Sequence, residues 1–286
     1  MSKRAVGKRQ LGDQTMAPQM TADIKAMAWS AIGVAAAAVG LAGYAILGGD
    51  DEPTGTGQGY WSSVTGASPT PSASAAPSAS GYAPPEEWTE PERWAVLPRG
   101  ARIDSNGNTV GFPHTTEGAV AMLATANNTE VKPGWSMVDE RLSIYDSYMV
   151  SEDKSPENAE KIERDAVRVD REIRREMGLP KKGDLPPGAY LRNHVLGFQV
   201  VEESPDEVSI WLLSRATEKA GAIEREKGSY TRALLAVRWD AGDWKLSGAA
   251  IRRAMTEVRG KARPEIVAPG DAAFNEAGWT AIREAS

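Results

Sequence analysis

The stretch AYLRNHVLGFQVVEESPDEVSIWLLSRA, residues 189–216, sets the expected architecture. Apolar and polar residues alternate over AYLRNHVLGFQVVEE (189–203), as they do along a strand whose side chains point to opposite faces in turn. The turn SPDE (204–207) comes next, and VSIWLLSRA (208–216) reads as a second strand. YTRALLAVRW (230–239) reads as a third, and DAGD (240–243) leads into WKLSGAAIRRA (244–254) as a fourth. Short turns between such runs signal antiparallel hairpins.

Upstream, the apolar spacing changes to that of helices. In GFPHTTEGAVAMLATANN (111–128), Thr115 or Thr116 is placed to cap a helix carrying Ala119, Val120, Leu123 and Ala126 on one side. SMVDERLSIYDSYMV (136–150) puts Val138, Leu142, Tyr145 and Met149 on a single face. A third helix opens at Ser155 with Pro156 in its first turn and ends at Gly178 and Pro180. Its apolar stripe is Ala159, Ile162, Ala166, Val169, Ile173 and Met177; the remaining charged face reads as a solvated surface or a docking surface. Helices followed by a strand meander predict an α+β domain, about three helices packed on one face of a curved four-stranded antiparallel sheet.

The chain of 286 residues has two histidines and no cysteine. That composition excludes disulfides, thiolate metal sites, cysteine nucleophiles and a three-histidine metal centre. His114 stands just before the first cap, after Pro113, where its ring can hydrogen-bond the first turn or pack on the opening loop. Glu117 in that first turn complements the helix dipole. His194 shares a face with Tyr190, Arg192 and Phe198 by counting in twos, and the charged neighbour puts it on the solvent side. Asp146 and Asp165 fall on polar helix faces. There is no serine elbow, phosphate loop or metal-ligand spacing, so the expectation is a non-enzymatic protein with no catalytic residue, cofactor or metal. A net charge of −6 argues against direct nucleic-acid binding.

The first part of the chain has a different character. Residues 26–49, AMAWSAIGVAAAAVGLAGYAILGG, carry no charge and match the roughly 20 residues a helix needs to cross a bilayer. Trp29 and Tyr44 lie towards the two ends, where amphipathic rings prefer the membrane interface. Gly33, Ala37 and Gly40 offer small residues for close helix–helix packing. The run is longer than the apolar region of a cleaved signal peptide, so an uncleaved anchor is expected. Five basic residues precede it and Asp50, Asp51 and Glu52 come after, which keeps residues 1–25 cytoplasmic and the remainder outside. Residues 50–90, rich in Ser, Pro, Ala and Gly, cannot build a core and read as a disordered linker. The expected domain covers 91–255. Residues 256–286 form a C-terminal tail, either a short helix docking Phe274, Trp279 and Ile282 or a partner-binding segment.

Three helices and then a meander closing on Trp239, Gly242, Asp243, Trp244 and Leu246 resemble the NTF2-like cone fold. With the basic tail, single membrane helix and linker, the layout resembles the VirB8/TcpC-like components of actinobacterial conjugative, type IV secretion elements. The run GFPHTTEGAVAMLATANN is similar to the helix opening of related membrane proteins. TcpC-type proteins tend to carry two such domains, and a single strand set is legible here. The resemblance implies a single-pass membrane scaffold in a conjugation-type secretion apparatus, its partners the lipid bilayer and other subunits, itself among them. The alternative is a surface-anchored domain binding a small ligand or envelope polymer in the cone pocket. An isomerase- or dehydratase-like pocket around His194 ranks third.

Overall fold

A computed structural model describes residues 87–131, 134 and 136–283. The segments 1–25, 26–49 and 50–86, with Trp29, Gly33, Ala37, Gly40 and Tyr44, lie outside the described residues. Among the described residues no helix is long and apolar enough to cross a membrane.

In chain order the elements are β1 (Trp94–Val96), β2 (Arg102–Ile103), β3 (Thr109–Val110), α1 (Thr116–Asn127), β4 (Thr129–Val131), α2 (Met137–Tyr148) and α3 (Pro156–Glu176). Then come β5 (Tyr190–Glu203), β6 (Glu207–Lys219), β7 (Lys227–Asp240), β8 (Asp243–Leu246), α4 (Gly248–Glu257), α5 (Ala272–Glu276) and β9 (Thr280–Arg283). A seven-stranded sheet runs β1-β9-β5-β6-β7-β8, with β4 also on the edge of β5. β1 and β9 pair in parallel and the other contacts are antiparallel, while β2 and β3 form a separate two-stranded ribbon.

This architecture corrects the expected cone of three helices on one face of a four-stranded sheet. The reason lies in β6 and β7, whose middles are continuous apolar runs rather than alternating ones. A strand reads that way when both of its faces are covered. Ile210, Leu212, Leu235 and Val237 face α1 and α2, whereas Trp211, Leu213, Leu234 and Ala236 pack beneath α4 and the C-terminal segment. The sheet therefore separates two cores.

The second cover comes from residues that the period-two reading assigned to a fourth strand. β8 stops at Leu246, and the Ser247 side chain accepts from Ala250 N at 3.3 Å to start α4. Ala250, Ile251, Ala254 and Val258 then recur at helical spacing and are buried on the sheet. Phe274 and Trp279 are fully buried beside them, and Trp279 Nε1 donates to Glu265 O at 2.8 Å. Complete burial of rings of this size is worth about 1.5–3 kcal/mol each. The same segment feeds β9 into the sheet between β1 and β5.

Two local features fix where β9 lies. The register of β5 on β6 skips a residue between Val195 and Gly197, a bulge that reverses the facing of the residues after it. Phe198 accordingly joins Val195 in the α1-side core and does not share a face with His194, as simple counting in twos suggests. At Gly197 a Cβ would lie 2.8 Å from Thr280 O, so β9 can approach only a glycine.

α1, α2 and α3 occupy the three stretches with helical spacing. Thr115 caps α1, accepting from Gly118 N at 3.1 Å, and α2 opens on a capping box between Ser136 and Asp139. α2 packs through the expected Val138, Leu142, Tyr145 and Met149, and also buries Met137, Arg141 and Ile144 beside them. Burial pulls the Arg141 guanidinium down to about 10, against the charge of Glu140. α3 docks through Ile162, Ala166, Val169 and Ile173, while its outer face carries ion pairs along the helix such as Lys161–Glu157 at 3.3 Å and Arg164–Glu160 at 3.5 Å.

Glu176 at the end of α3 and Glu218 on β6 each have an Oε2 that is buried and unpartnered among the described residues. Burial raises both carboxyls above the ordinary value of 4.5; for Glu218 the charge of Glu176 adds to this, and Lys227 opposes it. A raised folded-state value means stability that is complete below 4.5 and lost as pH climbs through the raised value. Glu218→Gln is therefore expected to raise Tm at about pH 8 by roughly 2–4 °C and to leave it unchanged near pH 4, as read by thermal melts. An equal gain at both pH values would contradict the assignment.

Candidate ligand-binding cleft

The site is organised from the β7–β8 turn. Ala241 and Gly242 adopt φ values of 51° and 83°, the paired left-handed conformation of a tight hairpin, which turns Asp243 inward. The Asp243 side chain is only 3% exposed. Its Oδ2 accepts from Gly111 N at 2.8 Å and its Oδ1 from Phe112 N and Trp244 N at 3.0 Å each. Lys245 Nζ, 3.3 Å away, balances the buried charge and also donates to Ser147 O at 2.7 Å. Trp244 Nε1 completes the join by donating to Pro113 O at 2.8 Å. One carboxylate thus fixes the segment that leads into α1.

The β2–β3 ribbon is held as firmly. Asp104 Oδ1 closes its turn by accepting from Asn106 N and Asn108 N, both at 2.9 Å. Burial acts to raise the Asp104 carboxyl, but hydrogen bonds from Ser147 and these two amides outweigh it and leave it lowered. Asn108 Nδ2 bonds Ser143 Oγ at 2.7 Å and Ser147 Oγ at 2.8 Å, and the Tyr148 hydroxyl donates to Thr109 O at 2.8 Å. The inner side of the ribbon is therefore pinned to α2.

Its other side forms one wall of a cleft of about 560 Å³. The second wall is α1, through Ala121, Ala124 and Thr125, with its C-cap Asn128, and the floor is Phe112, Val195 and Ile282. The cleft lies over a notch in the sheet. β4 occupies the β5 edge as far as Asn193 and β9 takes it up again at Gly197. Between them Asn128 Oδ1 accepts from Val195 N at 2.7 Å, a side chain standing in for the missing strand.

The charge in the cleft has one sign. Arg99, Arg102, Arg283 and His194 line it, and no carboxylate does. Arg102 is exposed, with no hydrogen-bond or ion-pair partner among the described residues. Such a set attracts an anion, and a guanidinium favours the planar, bidentate carboxylate or phosphate. His194 is exposed at this rim, and with no carboxylate lining the cleft it forms no His–Asp acid–base pair there. Arg99, in the β1–β2 loop, and Arg102, on the two-residue strand β2, give no periodic signal in the sequence. Among the described residues no group of three metal-type ligands occurs.

His114 lies elsewhere. Its ring stacks on Trp239 with centroids 3.9 Å apart and planes 9° from parallel, meets Trp244 edge-on at 5.5 Å, and places Nε2 3.0 Å from Asp206 Oδ1. The histidine thus bonds the β5–β6 turn and the tryptophans of β7–β8, rather than the first turn of α1 or the opening loop. Its side chain is 41% exposed, and the contacts describe a clasp between segments. Two variants probe this join. Asp243→Ala leaves two buried amides and one half-buried amide without their acceptor and is expected to cost about 2–4 kcal/mol in denaturant unfolding. Ala241→Asn suits the left-handed position and is expected to gain about 0.5–1 kcal/mol; a loss there would contradict the turn geometry.

Comparison with known families places the chain. It belongs to the family described as Domain of unknown function (DUF8175), which matches residues 53–260. The match ends before α5 and β9, which complete the sheet in this chain. No curated protein and no solved structure matches the chain.

Proposed function

We propose that the chain is a membrane-tethered, extracytoplasmic binding domain that takes an anionic ligand in its cleft and performs no chemistry of its own. The observation that carries this reading is the grouping of Arg99, Arg102, Arg283 and His194 over an apolar floor with no carboxylate among the lining residues. In a chain of net charge −6 a concave patch of one positive sign focuses its field on an incoming anion. The uncharged residues 26–49, flanked by basic residues before and acidic ones after, support the tether and its orientation. Holding the domain beside other membrane components raises their effective concentration, so a modest affinity suffices.

The assembly role in a secretion apparatus draws on two supports, the layout and the cone. The layout of tail, apolar segment, linker and domain still favours work within a membrane complex. The sheet covered on both faces takes the cone away, so the ligand reading rests on the cleft alone.

Two measurements test the proposal. The full chain is expected to stay in the membrane fraction through carbonate extraction, and a chain beginning at Asp50 to be soluble; equal partitioning of the two would contradict the tether. In neutral-lipid nanodiscs, an anionic pentaglutamate probe should bind the full chain at low salt. The paired substitution Arg102→Glu and Arg283→Glu should weaken it by about tenfold or more. Binding unaffected by that pair would overturn the site.

A further inference from the structure

We infer that α3 is a cover, hinged at its N-terminal end and latched at its C-terminal end by the protonated carboxyls of Glu176 and Glu218, which lifts from the sheet when both ionise. The device is separate from the anion cleft and acts on one helix rather than on the whole domain.

α3 closes over a polar part of the sheet. On β6 every second residue after Leu212 faces the helices, which gives Ser214, Ala216 and Glu218, and cross-strand pairing sets Thr231 beside Ser214 and Asn193 beside Ala216. Apolar contact there comes from Leu191 of β5 with Ala166, Val169 and Ile173 of α3. Around it, Asn193 Oδ1, Ser214 Oγ, Thr231 Oγ1, Glu218 Oε2 and Glu176 Oε2 are buried without a hydrogen-bond partner among the described residues. Unpaired buried oxygens weaken a closed interface. An element docked through such an interface opens locally before the whole domain unfolds.

The two ends of the helix are held differently. At its start the Tyr145 hydroxyl donates to Ser155 O at 3.1 Å and accepts from Ser155 N at 2.8 Å. Asn158 Nδ2 donates to Asp153 O at 2.8 Å, and Asp153 Oδ2 accepts from Gly248 N at 2.9 Å. At its end Arg174 bonds Asp170 Oδ2 at 2.8 Å and Pro180 O at 3.3 Å, both within the helix and the connector after it. That connector passes through Gly178 and Gly183, at φ 68° and 97°, and exposes Lys181, Lys182 and Asp184. The pinned end is the hinge and the other end carries the latch.

The charged groups at the latch are Glu172, Arg175 and Glu176 from α3, Glu218 from β6 and Lys227 from β7, while β5 contributes the uncharged Leu191. Lys227 Nζ stands 3.9 Å from Glu218 Oε1 and is 62% exposed, so it offsets little of a second buried charge. Burial raises both carboxyls, and the charge of Glu176 adds to the rise at Glu218. Below the ordinary value of 4.5 both are neutral and closure is favoured; as pH climbs through the raised values, closure traps two like charges under the helix.

The chain has no cysteine, so Arg171→Cys on α3 and Arg252→Cys on α4, both at exposed positions, carry the only spin labels. With the full chain in nanodiscs, pulsed electron spin resonance reads the distance across the sheet at about pH 4 and about pH 8.5, on either side of the raised values. One distance is expected at the lower pH and a second, longer one at the higher, and Glu218→Gln should abolish the longer population. Glutamine keeps the shape of the carboxyl without its charge, and a single short distance also reports that the variant is folded. A control pair, Asp146→Cys on α2 with Arg252→Cys, should give one distance at both pH values. Identical distributions for the α3 pair at the two pH values, or a pH response that survives Glu218→Gln, would overturn the latch. Lengthening of the control pair along with the α3 pair would overturn the hinge, because the whole domain would then be loosening.

Discussion

The buried Asp243 carboxylate is the interaction on which the arrangement depends. A charge this deep is tolerable only when its oxygens are saturated, and three backbone amides with one ammonium group do so. Two of the amides belong to Gly111 and Phe112, far away in sequence, so a hairpin turn late in the chain dictates the path into α1. Pro113 and Trp244 add the second bond of that join. Where α1 starts decides which of its side chains meet the sheet and which face the cleft. At Gly118 the fit is close enough that any Cβ would collide with the Pro113 carbonyl.

The sheet supplies the other half of the geometry. Because β6 and β7 are apolar on both faces, the chain must provide two covers, and it draws them from opposite ends of the domain. α1 and α2 cover one face; α4, α5 and the segment before β9 cover the other. β9 then returns beside β5 without reaching β4, and the gap between them is the notch over which the cleft opens. The arginines come from the β1–β2 loop, β2 and the end of β9, so the site exists only when first and last strands of the sheet are in place.

Much of this is legible from the chain, within limits that have physical causes. Helix starts carry their own chemistry at Thr115, Ser136 and Ser155, and the long strands announce themselves through turn residues. The covering of the sheet is harder to see. IWLL (210–213) and ALLAV (233–237) are continuous apolar runs, and their meaning is burial on both faces; counting them as alternating leads to a cone with one open side. The run after Trp244 changes period at Ser247, whose capping role is visible only once Ala250, Ile251, Ala254 and Val258 are seen as a stripe. The bulge at β5 leaves no sign except Gly197, so counting in twos puts His194 and Phe198 together when they lie apart. Arg102 and Arg283 are about 180 residues apart in sequence, and nothing local links them.

The central claim is that a cleft built across the ribbon, α1 and β9 holds an anion on Arg102 and Arg283. Side-chain Nε–H resonances of arginine report such binding directly. With the full chain in detergent micelles, a titration with the dicarboxylate glutarate should shift the resonances of Arg102 and Arg283 saturably and together. Arg164 and Arg168, on the paired outer face of α3, should stay in place. Shifts confined to the α3 arginines, or absent from Arg102 and Arg283, would contradict the account.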